Sequence, residues 1–376
     1  MVRRIGVIGG GQLAWMMAGA AQKLGLELIV QTPDQSDPAV AIATDTILAA
    51  VDDATATAQL ANQCDVITFE NEFINLAALQ RLENQGVCFR PSLAALAPLL
   101  DKYDQRCFLR DAGLPTPRFA AREELGGQLP LAFPIVLKTR RHGYDGYGTF
   151  IIPDADQLEA TLTKLGDRPL LVEEFVPFER ELAVIAARSV SGEISVYPIV
   201  ETQQENQVCR RVFAPTELSP ATVTQIEAIA QTLLDRLRVV GLFGIELFLC
   251  PDGTVLVNEI APRTHNSGHF TLDACETSQF EQLLRSVAGL PLGNPAMRCA
   301  QAVMVNLLGF EHSDSDYLVQ RQQLAALPQA HVHWYGKTEA RPGRKLGHVT
   351  VLLEQKNAAM ATAIAQQIES LWYGNN

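Results

Sequence analysis

Apolar residues recur along this chain in short runs bounded by glycine, proline and polar turns, and the period of each run predicts its element. The opening RRIGVIGGGQLAWMMAGAAQKLG reads as a buried strand, a glycine turn and a helix rich in Ala, Met and Leu, with a second strand at LELIV. DVITFE follows as a strand, INLAALQRLENQG as a helix ending at Gly86, and VCFRP as a further strand, with Pro91 and Pro98 marking the exit. Strand and helix alternate, which predicts a parallel, doubly wound, Rossmann-like sheet over residues 1–100.

From Asp101 the pattern changes. A helix at KYDQRCFLRDAG stops before Pro115 and Pro117, the strand FPIVLKTR runs into the glycine-rich RHGYDGYGTF, and PLLVEEFV closes a small α+β unit over 101–176. Residues 177–297 carry the strands ELAVIAAR and ISVYPIV, a helix with apolar spacing at TVTQIEAIAQTLLDRLRVVG, and an apolar hairpin. Residues 298–376 add strands at HVHWYGK and GHVTVLL and a closing helix at AAMATAIAQQIESLW, expected to pack on the preceding unit. The fold class is therefore mixed α/β and α+β.

The 376 residues exceed what one ordinary core organises, and 47% hydrophobic against 19% charged residues describes a folded chain. A net charge of -12 argues against a general nucleic-acid binder, which needs clustered Lys and Arg. No apolar run is long enough to span a bilayer and the N-terminus has no signal-peptide order, so a cytoplasmic protein without membrane partners is expected. Seven scattered cysteines without a CxxC pair predict reduced thiols rather than disulfides or zinc.

The most informative segment is GLFGIELFLCPDGTVLVNEIAPR, two apolar strands around Asp252-Gly253. A two-residue turn with Pro251 facing Thr254 places Glu246 directly opposite Glu259. Like charges that close among apolar neighbours are destabilising, and a hard divalent cation such as Mg²⁺, completed by nucleotide phosphate oxygens, reconciles them. Asn258 offers a further oxygen. The alternatives are that both carboxylates face solvent, or that Arg263 pairs with one of them.

Gly143, Gly146 and Gly148 make a hairpin flap whose backbone N–H groups suit phosphate, though no Walker motif is present. Lys138, one of only seven lysines, lies in the apolar strand before the flap, where a buried ammonium needs an anion unless that strand face is exposed. Glu173, Glu174, Phe175 and Val176 end a strand whose backbone suits a base. GVIGGGQLA approximates a dinucleotide fingerprint, with Gly9, Gly11, Ala14 and Asp34 in the required roles, which keeps a nicotinamide oxidoreductase open. APRTHNSGHF clusters Arg263, His265, Asn266, Ser267 and His269 beyond the hairpin as an oxyanion site. Lys337, Arg341, Arg344 and Lys345 form a second anion site in an acidic chain.

Together GGGQLAWM, DVITFENEF, DKYDQRCFL, VLKTRRHGYDGYG, VEEFVPFERELAVI, VNEIAPRTHNSGH and HWYGKTEARPGRKLGH resemble the ATP-grasp superfamily and, within it, the N5-carboxyaminoimidazole ribonucleotide synthetases. The resemblance covers nearly the whole chain. It implies an ATP-grasp fold behind the Rossmann-like domain, ATP and Mg²⁺ as cofactors, aminoimidazole ribonucleotide and bicarbonate as substrates, and a homodimer. It implies that Lys102 and Lys138 contact ATP phosphates, that Gly143, Tyr144, Asp145, Gly146, Tyr147, Gly148 and Thr149 form the flap, and that Glu173 to Val176 form the adenine hinge. Glu181 matches a ribose ligand, Glu246 and Glu259 match metal ligands, and Asn258 lies beside them. Arg263, His265 and Asn266 are implied to hold bicarbonate or carboxyphosphate, with His265 handling the proton. Lys337, Arg344 and Lys345 are implied to hold the intermediate or the ribonucleotide phosphate, and Gln12, Leu13 and Glu70 to receive the ribonucleotide, with Tyr144 reaching it from the flap. The chain departs from the family pattern at His142, Tyr147 and Thr149 of the flap, at Gln204 where a histidine is common, and at Thr264 where proline is frequent. Arg140 or Arg141 is the candidate replacement for the missing flap cation. Nearest to this reading stands a formate-using glycinamide ribonucleotide transformylase of the same superfamily.

Overall fold

The computed structural model describes residues 2–125, 131–141, 143 and 147–374, and its strands form three sheets. The first is parallel, in the order β3-β2-β1-β4, from β1 (Arg4–Ile8), β2 (Glu27–Thr32), β3 (Asp45–Leu48) and β4 (Val66–Phe69). Successive residues of β1 serve two cores: Ile5 and Val7 pack with Met17 and Val30, whereas Ile8 packs with Ile67, Phe69 and Leu79. Apolar side chains on both faces are what a buried parallel strand requires. The strand expected at VCFRP does not form. Phe89 makes only an isolated bridge to Ile67, because Pro91 has no N–H to extend a ladder and Ser92 caps the next helical turn.

The second sheet is antiparallel, in the order β5-β8-β6-β7, built from β5 (Phe119–Ala121), β6 (Ile135–Thr139), β7 (Thr149–Ile152) and β8 (Leu170–Glu174). The third contains β9 (Arg180–Arg188), β10 (Ile194–Val196), β11 (Val200–Glu205), β12 (Val208–Ala214), β13 (Gly241–Leu249), β14 (Val255–Ala261), β15 (Gln301–Leu308), β16 (Ala330–Trp334) and β17 (Lys345–Leu353). Its order is β14-β13-β9-β11-β12-β15-β17-β16, with β10 beside β9. The C-terminal segment thus enters this same sheet, through β15 against β12. The helix Pro220–Leu237, capped by Ser219, covers one face with Ile226, Ile229 and Leu233 against Phe243, Ile245 and Leu247. Helix Gln279–Ala288 covers the other with Phe280 and Leu284 against Leu242 and Ile185.

The β13–β14 hairpin keeps the expected pairing of Glu246 with Glu259 but reaches it by another route. Its turn is not the expected two-residue one. Gly253 N–H donates to the Cys250 carbonyl at 2.9 Å and Cys250 N–H to the Thr254 carbonyl at 2.8 Å, so Cys250 rather than Pro251 faces Thr254. Gly253, at φ +84°, supplies the left-handed residue that closes such a three-residue loop. The resulting one-residue offset is reversed at Asn258, a β-bulge between the pairs Leu247–Val257 and Glu246–Glu259.

β14 lies at the sheet edge, and the small unit covers it. The Gln105 amide donates to the Ile260 carbonyl at 3.1 Å and accepts the Ile260 N–H at 2.9 Å, as a neighbouring strand would. Val257 N–H donates to the Pro115 carbonyl at 2.9 Å. Because an L-residue in the left-handed region costs about 1 kcal/mol, Gly253→Ala is expected to lower unfolding free energy by about that amount in a denaturant titration while leaving turnover unchanged.

Candidate active site

The bulge decides the chemistry of the hairpin face. In a regular strand Asn258 and Glu259 point to opposite sides; here both reach the side of Glu246, and Asn258 Nδ2 donates to Glu246 Oε2 at 3.4 Å. Burial, then the charges of Glu259 and Glu181, push the Glu246 carboxyl up from its ordinary range. Burial opposes ionisation of Glu259 too, but the Lys102 ammonium, 2.6 Å from its Oε2, pulls that carboxyl down. The two glutamates therefore divide into one that ionises readily and one that resists.

Lys102 is set by its helix, Lys102–Asp111. Asp101 caps that helix by accepting from the N–H groups of Tyr103 and Asp104 and also pairs with Arg140 at 2.8 Å, while Lys102 N–H donates to the Arg140 carbonyl. One aspartate thus ties the helix start to the end of β6. Lys138, on β6, is largely buried, with 11% of its side chain exposed. It lies 2.7 Å from Glu173 Oε2 and donates to Asn258 Oδ1 at 3.1 Å. Burial, opposed by Glu173, depresses the Lys138 pKa. Glu173 is only 2% exposed, and although burial alone would raise its pKa, Arg106 and Lys138 push it down to about 2. The Glu173 side chain therefore positions Lys138, so any contact with a base falls to backbone and to Glu174, Phe175 and Val176. Arg106 also donates to the Asn258 carbonyl at 2.6 Å, bracing the bulge.

Lys102, Lys138, Glu173, Glu246, Asn258 and Glu259 border a cavity of about 1780 Å³ lined by strands of the second and third sheets and by the loops that follow β1, β2 and β4 of the first. Every site residue implied by the family resemblance in the described part borders it except Gly148, whose carbonyl accepts from Thr139 N–H at 2.8 Å; Ser267 of the expected oxyanion cluster does not border it either. Tyr144, Asp145 and Gly146, with His142, lie outside the described residues. Tyr147 is 66% exposed at the rim. Arg140 is engaged by Asp101 and Asp104, whereas Arg141 leans on Asp101 at 3.3 Å and is largely exposed. Gln204 hydrogen-bonds Glu181. The adenine-hinge segment faces Phe178 and Phe248, stacked at 4.6 Å and 4°.

At the other end Arg263 pairs with Glu72 at 2.9 Å, not with the hairpin glutamates. Beside it Glu70 accepts the Leu13 N–H at 3.3 Å, and burial, opposed by Arg263, pushes its carboxyl up to about 7. Gly9 and Gly11 belong to this acid: a Cβ on either would stand 2.6 or 2.5 Å from a Glu70 oxygen. The apparent dinucleotide fingerprint is thus a cradle for a carboxylate of the same chain. His265 Nε2 lies 3.3 Å from Glu246 Oε1, and Gly244 makes room for its side chain, since a Cβ there would meet His265 Cβ at 2.5 Å. Asn266 exchanges two amide hydrogen bonds with Asn306, at 2.9 and 2.7 Å, so its side chain braces the loop. Lys337 Nζ donates to Gln12 Oε1 at 2.5 Å and to the Lys345 carbonyl at 2.8 Å, joining the two chain ends in one wall. Arg344 donates to the Glu339 carbonyl at 2.7 Å.

Sequence reasoning missed Arg106, Gln105, Glu72 and Asn306. Arg106 falls one helical turn after Lys102, and Glu72 two residues after Glu70; these spacings were the available signals. Gln105 and Asn306 act on partners 155 and 40 residues away, which no local pattern reveals.

The fold and this cavity are those of an ATP-grasp ligase: residues 107–280 match the ATP-grasp domain, 2–98 the ribonucleotide synthetase preATP-grasp domain, and 302–362 the phosphoribosylaminoimidazole carboxylase C-terminal domain. The chain is 58% identical to the N5-carboxyaminoimidazole ribonucleotide synthase of Synechococcus elongatus, over 99% of this chain and 96% of that protein. An ADP complex of N5-carboxyaminoimidazole ribonucleotide synthetase superposes with a TM-score of 0.90 at 35% identity, covering 99% of this chain and 97% of the other. The Aspergillus clavatus synthase, solved with ADP and 5-aminoimidazole ribonucleotide, gives 0.89 at 32%, with 99% of each chain covered. The chain belongs to the N5-carboxyaminoimidazole ribonucleotide synthase family. Among the described residues, no helix is long and apolar enough to cross a membrane.

Two predictions follow from the buried charges. Removing one partner of a buried ion-pair network costs about 3–5 kcal/mol, so Arg106→Met should destabilise the fold by that order in equilibrium unfolding. Glu70 has its folded pKa raised from 4.5 to about 7, so the native state holds its proton over a range where the unfolded chain has lost it. Stability relative to Glu70→Gln should therefore fall as pH rises from about 4.5 through 7. Melting temperatures of the two proteins across pH 5 to 8 measure this, and a difference independent of pH would remove the assignment.

Proposed function

We propose that the chain carboxylates 5-aminoimidazole ribonucleotide with bicarbonate and ATP through carboxyphosphate, releasing N5-carboxyaminoimidazole ribonucleotide, ADP and phosphate in purine biosynthesis. The observation that carries this reading is one cavity joining the opposed Glu246 and Glu259, two buried lysines, and the Arg263, His265 and Lys345 group. The hairpin offers hard oxygen donors, two carboxylates and the Asn258 side-chain amide oxygen, in a place where like charges need a cation. That set fits Mg²⁺. Bound there, Mg²⁺ would neutralise the triphosphate and polarise the phosphoryl group to be transferred.

The remaining work falls to side chains. Lys102 and Lys138 neutralise phosphate oxygens, Glu174 to Val176 and the Phe178–Phe248 stack seat the base, and Glu181, held by Gln204, takes the ribose. Phosphoryl transfer is mainly positioning and charge stabilisation. Arg263 grips the oxyanion while bicarbonate oxygen attacks the γ-phosphoryl group. Gly143, Tyr147 and Thr149, which border the cavity, would help to keep water from the labile intermediate. The ribonucleotide amine, held among Gln12, Leu13, Glu70, Lys337, Arg344 and Lys345, then attacks the activated carboxyl carbon. We assign the amine proton to His265, whose ring is oriented by Ser267 N–H at 3.4 Å and Ser267 Oγ at 2.8 Å from Nδ1. A homodimer, a cytoplasmic location and the unit boundaries 1–100, 101–176, 177–297 and 298–376 remain expectations of the family resemblance and of the sequence pattern.

Phosphate release from ATP should reach full rate only with bicarbonate and aminoimidazole ribonucleotide together, without consuming reduced nicotinamide. A requirement for formate instead would overturn the reading. Glu259→Gln should lower turnover at least about 100-fold while its circular dichroism stays native; near-normal activity at saturating magnesium would remove Glu259 from the metal site.

A further inference from the structure

Glu72 is an acid in the cavity wall that none of these steps employs. It lies on the loop after β4, two residues beyond Glu70, whereas Arg263 lies just past the end of β14. The 2.9 Å contact between Glu72 Oε1 and Arg263 Nη2 therefore ties a loop of the first sheet to the exit of the Glu246–Glu259 hairpin. Both side chains line the cavity and keep solvent access, Glu72 at 25% and Arg263 at 21%. Arg263 Nη1 also donates to the Thr264 carbonyl at 3.1 Å. One nitrogen of the planar fork is thus fixed by Glu72 and another by backbone, which removes most of the freedom of a long side chain.

Glu72 is the carboxylate in ion-pair contact with Arg263 among the described residues, but other acids are near. Burial opposes the guanidinium charge, and Glu72, then Glu70 and Glu259, sustain it. Three carboxylates compete for one cation, and their duties differ. Glu70 is read above as receiving the ribonucleotide and Glu259 as holding the metal. Arg263 paired with either would cancel a charge the reaction needs and turn its own donors away from bicarbonate. We infer that Glu72 is the positioning residue of the oxyanion site, holding the Arg263 guanidinium where bicarbonate and its phosphorylated product bind and keeping it off Glu70 and Glu259. The inference rests on the carboxylase reading above. A carboxylate beside Arg263 also weakens its pull on an anion, an effect of opposite sign. Magnitude favours placement: a partly exposed ion pair alters binding by no more than about fivefold, whereas a 1 Å misplacement of a reacting group costs about 100-fold.

Two substitutions separate placement from charge. Glu72→Gln keeps an oxygen of the same reach for Arg263 and removes the charge; Glu72→Ala removes both. With the other substrates saturating, Glu72→Ala should raise KM for bicarbonate roughly 10- to 100-fold and leave KM for ATP unchanged. Glu72→Gln should recover most of the loss. In a crystal structure of Glu72→Ala the guanidinium should have turned toward Glu70 or Glu259. A lower KM for bicarbonate in both variants would overturn the inference in favour of charge masking. A rise confined to KM for aminoimidazole ribonucleotide would also overturn it, because Glu72 would then be a ligand of that substrate. Reduced melting temperatures with every KM unchanged would leave only a tie between two parts of the fold, and the inference would fall. If Glu72→Ala does not fold, Glu72→Asp takes its place with the same expectation, since it draws the carboxylate back by one methylene and Glu72→Gln should again be the milder change. Wild-type turnover that does not depend on bicarbonate would sink the proposed function itself; dependence on bicarbonate with unaffected variants would sink only the role of Glu72.

Discussion

Two carboxylates held face to face on an edge hairpin are the constraint around which this molecule is organised. Glu246 and Glu259 repel, and each is only partly exposed in the cavity wall, so the hairpin is tolerable only where cations converge on it. Lys102 and Lys138 arrive from the second sheet and its preceding helix, and Arg106 braces the backbone of the bulge between them. Each lysine is in turn held by an element with its own reason to be there. Asp101 caps a helix and anchors β6, and Glu173 is kept ionised by two cations although it is buried.

This arrangement couples stability to chemistry. A buried network is costly to break at any one member, yet contributes less than a packed apolar core of equal volume. Its value here lies in placement: the charges that stabilise one another across β14 are the charges that would meet a metal and a triphosphate. The edge strand supporting them has no strand partner beyond it, and the Gln105 amide and the Pro115 carbonyl take that place. Residues outside the cavity chemistry thus hold the catalytic face flat.

The far wall joins the two ends of the chain. Lys337 reaches Gln12, and Glu70 fills the space that Gly9 and Gly11 leave beside Arg263. Assembly of that wall requires the N-terminal sheet and the C-terminal strands together.

Much of this was legible in the chain. The period of its apolar runs located strands in each of the three sheets, though not β3, β5, β12 or β15, and the hairpin spacing alone opposed Glu246 to Glu259. Local pattern failed where contacts are nonlocal or where a single residue alters register. Pro91 ended the expected strand near Phe89. The three-residue turn at Gly253 and the bulge at Asn258 each displaced the register by one and cancelled, so the opposed pair was reached for an incomplete reason. Sequence determined which residues form strands and which side chains carry charge, because those follow from short-range sterics and hydrophobic period. Tertiary structure alone decided that Asn258 shares a face with Glu259, that the glycine turn serves Glu70, and that Asn266 pairs with Asn306. Each of those depends on a partner brought close only by folding.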